Sequence, residues 1–123
     1  MRFLGTIKHA AGAGTPPPAL MEAMGSFLKE AFAAGVIAET GGLAPTAERV
    51  LIRVRDGEAR VIDGPFTEAK EVVGGYVIYE VPSRDVALEW SRRFVDLHLR
   101  HWPGFEFECE LREMEPVPNS PRL

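Results

Sequence analysis

Gly75-Tyr76-Val77-Ile78-Tyr79-Glu80-Val81, followed at once by Pro82-Ser83, is the stretch on which the fold turns. Tyr76 and Ile78 alternate with Val77, Tyr79 and Val81, so a strand here carries apolar residues on both sides, as a strand inside a sheet does. Pro82 has no N–H to give a ladder, and Ser83 is a good helix N-cap, so the strand passes directly into a helix. Val86, Trp90, Phe94 and Leu97 then recur at steps of four, four and three, one apolar stripe to lay on a sheet. Past the turn at Trp102-Pro103-Gly104, Phe105, Phe107, Cys109 and Leu111 alternate with Glu106, Glu108, Glu110 and Arg112. That period of two predicts a half-buried final strand and completes a strand-helix-strand unit.

Working back toward the N-terminus, the same unit appears once more. Phe3, Gly5 and Ile7 alternate with Leu4 and Thr6 and predict a central first strand. Residues 9–18 read as a loop whose Pro16-Pro17-Pro18 enters the first turn of a helix. Leu20, Met24, Phe27, Leu28, Ala31 and Phe32 form its apolar stripe, and Gly35 ends it. Residues 36–45 are a connector or an edge strand. Val50, Ile52 and Val54 stand opposite Leu51, Arg53 and Arg55 in the next strand, and Asp56-Gly57 is a hairpin turn after which residues 58–62 pair back.

The order is strand, helix, strand with hairpin, strand, helix, strand. Two right-handed crossovers in one antiparallel sheet give an α+β, ferredoxin-like βαββαβ arrangement with both helices on one face. Residues 1–114 make up the domain, and residues 115–123 are expected to be an extended tail. Leu51, Val77, Tyr79 and Val81 leave apolar surface for which this layout has no second layer of helices. A second copy packing face to face would cover it, so a homodimer is expected.

The 123 residues suit one domain with its own core. With 14 Lys plus Arg against 18 Asp plus Glu, the net charge is −4 and no basic run exists to meet phosphates, which argues against nucleic acid and an anionic membrane surface. Cys109 is the single cysteine, so nothing calls for an oxidising compartment, and the first apolar run ends at Lys8, too short for a leader or a membrane span. The cytoplasm is the expected location.

Asp63-Gly64-Pro65-Phe66-Thr67-Glu68-Ala69-Lys70-Glu71, running into Gly74-Gly75-Tyr76, resembles the signature of the YCII-related (DGPF-domain) proteins. Gly35-Val36, Gly42-Leu43-x-Pro45, Val54-Arg55-Asp56-Gly57 and Ala87-Leu88-Glu89-Trp90 extend the resemblance over nearly the whole chain. It implies a ferredoxin-like fold that dimerises as an α/β barrel, in small cytoplasmic proteins often encoded beside or fused to sigma factors. Some shorter members look like isomerases or lyases that use a His and Asp pair, the histidine standing near the start of the first helix. Here that place holds Pro16-Pro17-Pro18-Ala19-Leu20, and only His9 is near enough to substitute.

Two readings of the motif stand side by side. Asp63 can accept backbone N–H groups while Gly64, Pro65 and Phe66 shape and anchor a turn. Alternatively the turn holds Asp63 at a pocket as a base or as the orienter of a histidine, with His9 the mobile proton carrier and Tyr76 or Tyr79 a hydroxyl donor. Phe66 and Lys70 are further candidate ligand contacts, although Glu68, Lys70 and Glu71 also suit the solvated first turn of a helix. His98 and His101 lie three apart on one helix face, but no third ligand stands at a telling spacing, so neither metal nor cofactor is expected. Cys109 falls on the apolar side of its strand, and Glu106, Glu108 and Glu110 line the other side, with Arg53, Arg55 or Arg112 as partners if the row meets an interface. The leading expectation is a homodimer that binds a small, ring-containing or enol-forming molecule, with acid/base chemistry of the isomerase or lyase type if it is an enzyme. The rival is a non-catalytic regulatory module acting through a sigma-factor partner.

Overall fold

The computed structural model describes residues 1–44, 49–63 and 71–119. Along the chain run β1 (Arg2–Ala10), α1 (Pro18–Ala33), β2 (Ile37–Gly42), β3 (Val50–Arg55), β4 (Glu58–Asp63), β5 (Glu71–Glu80), α2 (Arg84–His101) and β6 (Phe107–Glu113). Four strands form one antiparallel sheet in the order β2-β5-β1-β6, while β3 and β4 pair only with each other. With the ribbon set aside, the four-stranded sheet and its two helices have the ferredoxin-like connectivity that the repeated strand-helix-strand pattern predicts.

The second strand of the sheet is β2, inside the 36–45 stretch, and the hairpin that was expected to take that place is a separate ribbon. The reason lies in the register. Gly41 and Gly42 let β2 approach β5 where a Cβ on Gly75 would stand 3.1 Å from the Gly41 carbonyl, whereas the alternating β3 has no second apolar surface to press against. Glu71, expected in a helical turn, is the first residue of β5 instead.

Side-chain direction along β5 corrects a second expectation. Val77, Tyr79 and Val81 all face the helices, packed with Phe3, Ala31, Ile37 and Ala87 in the core. The opposite, open face is formed by Leu4, Thr6, Tyr76 and Ile78, all half-buried. Gly5 belongs to the helix side, where an added Cβ would stand 2.9 Å from a Val77 methyl.

Each helix has its own means of starting and stopping. In α1, Pro17 caps without a side-chain bond, Pro18 opens the first turn, and Gly35 at φ +73° follows the end. Its stripe of Leu20, Phe27 and Ala31 is buried, while Phe32 points outward and is 49% exposed. In α2, Ser83 Oγ accepts from the Val86 N–H at 3.2 Å, and His98, Arg100 and His101 place positive or polar groups at the C-terminal, partially negative end of the helix. The sheet-facing centre of α2 is Ala87, Ser91 and His98, flanked by Trp90 and Phe94. Ser91 enters the core because its hydroxyl donates to the Tyr79 oxygen at 3.3 Å, which offsets the cost of burying it.

Candidate ligand site

Beyond Ile7 the ladder between β1 and β5 slips by one residue. Ile7 lies opposite Gly75 and Lys8 opposite Val73, which leaves Gly74 as the extra residue of a bulge. A Cβ on Gly74 would stand 2.5 Å from His9 Nε2 and 2.9 Å from its Cδ2, so the imidazole occupies the space of a side chain that Gly74 lacks. The Gly74 carbonyl accepts from the Leu43 N–H at 3.0 Å, which ties the bulge to the end of β2. Opposite, His9 Nδ1 lies 2.8 Å from the Ala10 carbonyl, which can only accept. In the neutral ring the proton therefore sits on Nδ1, and Nε2 carries the lone pair.

The far wall is aromatic. Pro103 and Gly104, the latter at φ +87°, turn the chain so that the Phe105 N–H donates to the Trp102 carbonyl at 3.2 Å. The turn lays the Trp102 and Phe105 rings 3.9 Å apart and only 7° from parallel. Phe105 also meets the His9 ring at 5.5 Å. Between these groups opens a cleft of about 900 Å³ that the glycine-containing loop after β1 borders, with Arg49 and Glu71 as its charged lining residues among those described.

Behind the cleft, His98 touches the rings of Phe94, Phe105 and Phe107. Its Nδ1 lies 3.0 Å from the Phe94 carbonyl, and burial pushes its pKa below the ordinary imidazole value, so the ring is held neutral. Its place is under the aromatic wall, and among the described residues no three His, Cys, Asp or Glu side chains converge as a metal site.

The residues singled out from sequence fall in different places. His9 lines the cleft. Asp63, the exposed last residue of β4, lies opposite Val50 and is not among the described residues that line it; the carboxylate that does so is Glu71. Phe66 and Lys70 lie outside the described residues. Tyr79 is in the core, its phenol pKa raised by burial. Tyr76 is on the open sheet face, where its hydroxyl donates to Glu39 Oε2 at 2.8 Å and the hydrogen bond to that carboxylate raises its pKa. Cys109 is half-buried toward the helices, and burial raises its thiol pKa, which makes it a packing residue rather than a nucleophile. Trp102, Phe105 and Gly74 carry no chemical group that spacing alone would mark. Their signal is a Pro-Gly corner bracketed by two aromatics and a Gly-Gly pair on the strand beside His9.

The family model of the YCII-related domain matches residues 1–94. An uncharacterised protein of Rhizobium meliloti (strain 1021) is 37% identical over 59 residues, which make up 48% of this chain and 48% of that protein. The chain thus spans about half the length of the curated relative it matches. No helix among the described residues is long and apolar enough to cross a membrane.

Proposed function

The chain belongs to the YCII-related domain family, and from that premise we propose that it is a cytoplasmic, homodimeric protein that binds a small planar molecule in the cleft beside His9. The observation that carries this reading is the seating of His9 in the cleft wall against Phe105, which is itself stacked on Trp102. Stacked aromatic rings favour a flat, conjugated ligand, aromatic or enolic, which gains offset or edge contacts beyond simple burial. Arg49 and Glu71 are the charged residues that line the cleft among those described.

His9 is also the group that would move a proton. Its Nδ1–H is held by the Ala10 carbonyl, which fixes the tautomer, and Nε2, seated against Gly74, serves as a general base toward a bound molecule when the ring turns out of that notch. The Ala10 carbonyl is thus the orienter of His9, a role expected of Asp63, and Glu71 is the carboxylate that lines the cleft with it. Tyr76 donates its hydroxyl to Glu39 on the open sheet face and Tyr79 is buried in the core, so neither lines the cleft.

Binding is read directly from Trp102. In a Trp90→Phe variant, Trp102 is the one remaining indole, and titration with a hydroxybenzoate and with a 2-keto acid that enolises should quench its emission saturably. His9→Ala in that background, and Trp102→Ala followed by calorimetry, should each weaken binding by up to about tenfold, the loss of about one aromatic contact. If neither probe perturbs Trp102, or if His9→Ala binds as the parent does, the reading fails.

A further inference from the structure

Among the described residues the β3–β4 ribbon pairs only with itself, and one of its two faces is an exposed apolar one. Ile52 pairs with Val61 and Val54 with Ala59 across the ribbon, so these residues share a face, yet Ile52, Val54 and Val61 are 70%, 71% and 67% exposed. On the reverse face Arg53 stands directly opposite Arg60, with Arg55 two residues along. Like charges opposed across a pair destabilise it, and the carboxylate described there, Glu58, lies opposite Arg55 and stands 3.8 Å from Arg60, both of that pair exposed. A lone two-stranded ribbon with exposed valines is marginal in water.

At the other side of the molecule, β6 is the outermost strand of the sheet, hydrogen-bonded to β1 along one edge. It repeats the β3 pattern with the charge reversed. Cys109 and Leu111 face the helices, while Glu108 and Glu110 stand exposed on the opposite side. Alternate residues of a strand are about 6.6–6.8 Å apart, so Arg53 and Arg55 have the spacing of Glu110 and Glu108.

We propose that the ribbon is an arm that adds β3 to the free β6 edge of a second copy of this chain. In the antiparallel register that sets Arg53 opposite Glu110 and Arg55 opposite Glu108, Ile52 and Val54 fall beside Leu111 and Cys109 and extend the helix-facing side of the partner's sheet. A slip by one residue would put carboxylates against Ile52 and Val54, so charge and hydrophobic pattern agree on which face of the arm meets which face of the partner's sheet. The occupant is a second copy because the chain itself carries both halves of the match. Each copy offers one arm and one edge, and a two-fold exchange satisfies both. Within one chain, the arm branches from the sheet between β2 and β5, while β6 lies beyond β1 at the far edge.

This inference rests on the homodimer proposed above, and the test separates the two. Sedimentation of the full chain at micromolar concentration should give a dimer. The charge-reversed pairs Arg53→Glu/Arg55→Glu and Glu108→Arg/Glu110→Arg, all on exposed positions, should each give monomers, and an equimolar mixture of the two should recover a heterodimer. A monomeric parent chain overturns the homodimer and the arm together. A parent dimer that persists in the Arg53→Glu/Arg55→Glu variant, or variants whose mixture stays monomeric, overturns the arm alone.

Discussion

At the scale of single residues, the site depends on an absence. Gly74→Ala puts a methyl where the His9 ring lies, and the ring is the part that can swing, so the backbone should hold while the imidazole leaves Phe105. The expected outcome is a stability loss of only about 1 kcal/mol, together with a loss of the ring-current shift that Phe105 imposes on the His9 protons. An unchanged His9 spectrum would contradict the geometry. Tyr79→Phe should cost a similar ~1 kcal/mol, measured by denaturant unfolding, because Ser91 is left buried without its partner. His9 was legible as a candidate because the first apolar run ends just before it, although it proves to be the penultimate residue of β1 and not the start of the loop. Its neighbours were not, since Trp102 and Phe105 are drawn together by a turn and Gly74 acts through what it lacks, and neither effect has a chemical group to announce it.

At the scale of elements, period and punctuation were the readable part. The Asp56-Gly57 turn, with φ of 53° and 77°, has the two left-handed residues that a type I′ hairpin requires. Ser83 caps α2 as its position after Pro82 implies, and Ser83→Ala should cost about 1 kcal/mol, seen as a fall of about 4 °C in Tm. The stripe on α2 was read one position off. Val86, Trp90, Phe94 and Leu97 are the apolar residues, but the centre of the buried face passes through Ala87, Ser91 and His98. Polar residues that are satisfied inside a core cannot be told from solvated ones by hydropathy, because the partner that satisfies them lies elsewhere in the chain. The same limit hid the fate of the hairpin: its alternation predicts a ribbon and says nothing about which sheet receives it.

At the scale of the whole molecule, His98 links acidity to stability. Its folded pKa is depressed, chiefly by burial, below the ordinary value of 6.5. Below that pH the unfolded chain takes up a proton that the folded chain refuses, so this contribution to stability is intact above about pH 6.5 and is lost as the solution is acidified toward the folded pKa. Melting temperatures between about pH 5 and pH 8 should therefore fall on the acid side, and His98→Phe should flatten that part of the curve. A parent curve that rises on acidification would reverse the sign argued here.

The place of β1 has a kinetic consequence. This strand lies between β5 and β6, whose residues are 71–80 and 107–113. As the chain leaves the ribosome, β1 is made first among the strands, yet both of its edges wait for partners made much later. Until then β1 is paired on neither edge, and nascent Phe3 and Ile7 stay open to chaperones or to neighbouring chains. Loop closure over such separations slows folding, so a short pause in synthesis after the first helix should favour aggregation, and one after residue 113 should be harmless.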